Sequence, residues 1–197
     1  AWLGRDETER DVTLAVDYFA QSVGLGQPVA PLALAYFFGS GYGGFPQDAA
    51  ISRRFRALAD ARLTALAEDD NRWAQTILGD LLVTDGATRE DRLENPGAFE
   101  WLPPDKPRGL KWLAAAAIEG ATLPRNFGDS QGQMVAYYLS QRYYDEKDGT
   151  SYCRWKLIDE AYRDIRDDEP GAEAQWTKAR AFATSILGES EEATKAR

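Results

Sequence analysis

The residues with the most chemical potential in this chain are carboxylates. Glu90, Asp91 and Glu94 sit close together, and paired carboxylates can act as general acid and base on a glycoside. They need a dry cleft with shifted proton affinities, and their surroundings read as a solvated, charged loop. Other nucleophilic chemistry is scarce. The 197 residues contain no histidine and a single cysteine. A serine–histidine–acid triad, a cysteine–histidine pair and a zinc site built from His or Cys are therefore excluded within the chain. So is an intrachain disulfide. Cys153 beside Arg154 has a neighbour that favours a thiolate, but a buried small residue inside a helix is the simpler reading. The glycine loop Gly39–Phe45 lacks the Lys-Ser/Thr ending of a phosphate loop and follows a helix, not a strand. Asp145, Asp148 and Gly149 lack the ligand spacing of a helix–loop–helix calcium site. No catalytic residue, metal or cofactor is expected.

The elements that carry these residues are helical nearly throughout. Apolar residues recur at three- and four-residue spacing. Helices are expected near 7–23, 29–39, 48–67, 71–83, 106–119, 131–145, 150–166 and 171–187. Strand-like alternation is not evident. Gly and Pro clusters fall between the helices, and no linker divides the chain, so residues 1–197 read as one domain.

An ordered pattern recurs along it. An Asp is followed seven residues later by an aromatic: Asp11 and Tyr18, Asp48 and Phe55, Asp105 and Trp112, Asp148 and Trp155. An Asp in this position can cap a helix. Small residues one turn from the aromatic (Ala15, Ser52, Gly109) let two helices approach. A second pattern alternates with the first: Leu34, Ala35 and Phe38; Leu78, Gly79 and Leu82; Leu139, Ser140 and Tyr143. Ala183, Leu187 and Gly188 echo it late in the chain.

These residues resemble the Sel-one-like repeats, relatives of the tetratricopeptide repeats. The segment Ala30–Ala59 is similar to a whole unit at Ala30, Leu34, Phe38, Gly41, Gly43, Asp48, Phe55 and Ala59. Ala74–Gly79 matches the first half of a unit and Asp105–Gly120 the second. The resemblance implies an all-α fold, an α-α superhelix of about four stacked helix hairpins, with insertions near 85–104 and 121–130. The last unit departs from the pattern, because Asp159 and Glu160 follow Trp155 where small residues are expected.

The implied function is a protein–protein interaction module: an adaptor, a regulator or an immunity-type protein. A carboxylate-based hydrolase and a self-associating structural protein are the alternatives. The partner surfaces are sought among aromatics. Phe99, Trp101 and Leu102 lie beside prolines in the first insertion and could anchor a partner, or fold back onto the helices. Tyr137 and Tyr144 are seven residues apart on one helix. With Gln141 they could line the concave surface that the resemblance assigns to first helices.

A net charge of −9 and a pI near 4.7 disfavour nucleic acid and suit a basic protein partner. No apolar run reaches the roughly 20 residues of a membrane span. The first residue is Ala1, which favours a mature exported protein over a cytoplasmic one.

Overall fold

The computed structural model describes residues 12–84, 101–118, 122–125, 129–165 and 169–195. They form α1 (Val12–Gly24), α2 (Ala30–Ser40), a short 3-10 turn (Tyr42–Gly44), α3 (Ala49–Glu68), α4 (Arg72–Thr84) and α5 (Lys106–Ile118). Then come β1 (Thr122–Arg125), β2 (Asp129–Met134), α6 (Val135–Asp145), α7 (Gly149–Tyr162) and α8 (Ala172–Lys195). Helices dominate, and neighbouring helices pack on one another. The two strands pair antiparallel, Thr122 opposite Met134, and the register slips between Leu123 and Arg125. Pro124 sits at the slip, and with no amide hydrogen it cannot donate to the ladder. This hairpin takes the place of the second expected insertion and of the first turn expected for α6.

The chain divides into two compact units. The first comprises Ala1–Asp69 and Asp80–Gly109, the second Asp70–Gly79 and Leu110–Arg197.

In the first unit, α2 is apolar nearly all round. It buries Ala30, Leu32, Leu34, Ala35 and Phe37. It ends at Gly41, whose φ of 67° is left-handed. A Cβ there would come within 2.8 Å of Gln47 Cγ, so both conformation and space demand glycine. Asp48 then caps α3, its carboxylate accepting the amides of Ala50 and Ile51, each at 2.9 Å. The small residues of the sequence pattern meet between these helices. Ser52, fully buried, donates its hydroxyl to the Ala35 carbonyl at 2.8 Å. One turn on, Phe55 stacks on Phe38 with ring centres 5.9 Å apart and planes 22° apart. Phe45 closes on Phe38 edge-on at 5.0 Å. The guanidinium of Arg62 ties α3 to the end of α1 through the carbonyls of Val23 and Gln27.

In the second unit, α6 and α7 also pack on each other. Leu139 and Ser140 are buried on α6, and Trp155 and Ile158 on α7. Asp148 caps α7 by accepting the Ser151 amide at 3.1 Å. Tyr162 is buried against Trp176 of α8, and its hydroxyl donates to the Ile118 carbonyl at 2.8 Å.

Asp105 caps α5 through the Arg108 amide at 3.2 Å. Three of the four recurrent aspartates therefore cap helices, and Asp11 lies outside the described residues. Each capping Asp also donates its own amide backwards. Asp48 bonds the carbonyl of Phe38 at 2.8 Å, Asp105 that of Leu82 at 3.1 Å, and Asp148 that of Tyr143 at 3.0 Å. Phe38, Leu82 and Tyr143 hold the same place in the second sequence pattern. The repetition in sequence is thus a repetition in backbone bonding.

The register also explains the departure after Trp155. Asp159 occupies the position where Ala59 and Ala116 are buried, and it is itself only 4% exposed. Its carboxylate is held by Lys156 Nζ at 3.0 Å and Arg163 Nη2 at 2.7 Å. The hydrogen bond to Asp159 raises the Arg163 pKa above its ordinary value.

Candidate functional site

Of the insertion residues considered for partner binding, Phe99 lies outside the described residues, as do Glu90, Asp91 and Glu94. Trp101 is half-buried and lies flat on Tyr36, centroids 5.8 Å apart and planes 18° apart. Leu102 is only 1% exposed. The expectation of Leu102 as a surface anchor therefore needs correction. A leucine side chain gains about 1.5–3 kcal/mol by leaving water, and this one does so within its own chain. Leu102 and Leu82 line a cleft of about 430 Å³ together with Asp60 and the segment from Pro103 to Arg108. Its polar rim is satisfied internally. Arg108 grips Asp60 with both terminal nitrogens, at 2.9 and 3.3 Å, and also donates to Thr64.

The α6–α7 pair is different. Tyr144 is 65% exposed and Gln141 is also exposed, while Tyr137 is half-buried. Both tyrosines lean toward α7. Tyr144 sits 5.5 Å from the ring of Tyr152, and the ammonium of Lys156 lies 5.8 Å from the ring of Tyr137. Because the helices run antiparallel, Tyr144 faces Tyr152 and Tyr137 faces Lys156, making a row across the pair. Tyr152 and Lys156 were not singled out in the sequence. Their signal was present, since they stand one turn apart at the start of a capped helix, but it depends on knowing which helix α6 meets.

The turn beside this row carries charge. Asp145, Glu146, Lys147 and Asp148 are all exposed, and Glu146 pairs with Arg142 at 3.3 Å. Burial, aided by the charges of Glu146 and Asp148, raises the Tyr143 pKa, so that phenol is neutral at physiological pH. The Asp148 carboxyl is held below its ordinary 3.8, first by the Ser151 hydroxyl at 2.7 Å. Tyrosine is well suited to contact work: it presents a large, rigid, partly polar surface at small conformational cost.

Among the described residues, no group of three or more acidic, His or Cys side chains is placed to hold a metal ion. No described helix is long and apolar enough to cross a membrane. The chain matches no protein-family model, no curated protein and no solved structure.

Proposed function

We propose that this protein is a protein-binding module of the Sel-one-like repeat type, whose helix pairs stack into a short α-α superhelix. Its work is that of an adaptor, regulator or immunity-type protein for one specific partner, in an exported setting. The observation that carries the binding role is the tyrosine row on α6 and α7, where Tyr144 is 65% exposed although large aromatics gain by burial. Support for the repeat reading comes from the backward amide bonds of Asp48, Asp105 and Asp148. A stacked array offers an extended surface to a peptide or domain. The net charge of −9 favours a basic partner and speeds its encounter.

The test is capture from the native organism with this chain as bait, followed by calorimetry with whichever protein is enriched. The expected result is one stoichiometric, basic protein. Tyr144→Ala with Gln141→Ala should weaken its binding at least tenfold, about 1.4 kcal/mol, with no change in thermal midpoint. A partner whose affinity ignores these substitutions would remove the α6 face from the proposal. Enrichment of the chain's own copies alone would replace it with self-association.

A further inference from the structure

We draw no further inference here: the strongest candidate, the exposed apolar patch of Tyr18 on α1 and Leu25 just past its end, carries nothing because nothing in the structure shows what covers it.

Discussion

The carbonyl of Leu82 accepts the amide of Asp105 at 3.1 Å, although the whole of residues 85–100 lies between them in the chain. The same bond joins Tyr143 to Asp148 across a tight turn, at 3.0 Å. Connection length varies while the closing contact does not. Two groups on Asp105 act at once here: its amide closes the connection and its carboxylate starts the next helix.

The carboxylate's share can be measured separately. Asp105→Ala and Asp48→Ala keep the closing amide but lose the cap, and each is expected to cost about 1 kcal/mol. Asp48 accepts two amides at 2.9 Å and Asp105 accepts one at 3.2 Å, so Asp48→Ala is the larger loss. Chemical denaturation gives both values. Equal and negligible losses would show that the amide bonds alone fix the helix starts.

Ser52 tests the close approach of α2 and α3. Ser52→Ala removes the bond to the Ala35 carbonyl without adding bulk, and should cost about 1 kcal/mol. Ser52→Leu should cost more, because a fully buried site must move a helix to admit it. If the larger side chain proved harmless, the tight contact would not be a constraint on the fold.

Acid should loosen the start of α7. A carboxylate with a depressed pKa stabilises the fold above its unfolded value and loses that contribution as pH falls through the folded value. For Asp148 this window lies below the ordinary 3.8. Carbon-detected NMR titration should place the Asp148 midpoint below that value, and Ser151→Ala should move it upward. An unmoved midpoint would assign the shift to something other than the Ser151 hydroxyl.

Asp159 offers a contrast between removing a buried charge and stranding it. Asp159→Ala installs the residue found at the matching positions 59 and 116. It deletes two ion pairs together with the burial cost of the carboxylate, so the change should stay within about 1 kcal/mol of zero. Lys156→Met combined with Arg163→Met leaves the carboxylate buried and alone, and should be clearly more damaging. Denaturation midpoints for the two variants decide it; both lose the same two ion pairs, so equal losses would mean that the pairs dominate and that a stranded carboxylate costs nothing.

Much of the helical layout was legible because its signals are local. Asp48, Asp105 and Asp148 mark helix starts, and Gly41 marks a stop, so α3, α5 and α7 begin within a residue or so of their expected positions. The strand pair was not legible. Its sequences, TLPR and DSQGQM, lack apolar alternation and contain Pro124 and Gly132, which disfavour strands. Position in the repeat pattern also failed to determine burial. Tyr18 and Phe55 hold equivalent places, yet Phe55 stacks on Phe38 while Tyr18 is 60% exposed. Which side chain is covered depends on the neighbouring helix, and that is a tertiary fact. Leu102 makes the same point in the opposite direction: beside two prolines it reads as a loop anchor, and it is buried.

The amide-to-carbonyl closure at Leu82 and Asp105 turns the α4–α5 connection into a docking bay for foreign sequence. The entropic penalty of a longer connection rises only logarithmically, about 0.6 kcal/mol per doubling, once its ends are pinned by a bond that does not depend on what lies between. A lineage can therefore exchange the cargo carried there while the helices flanking it stay under unchanged selection, and a protein engineer can use the same port for an epitope or a reporter.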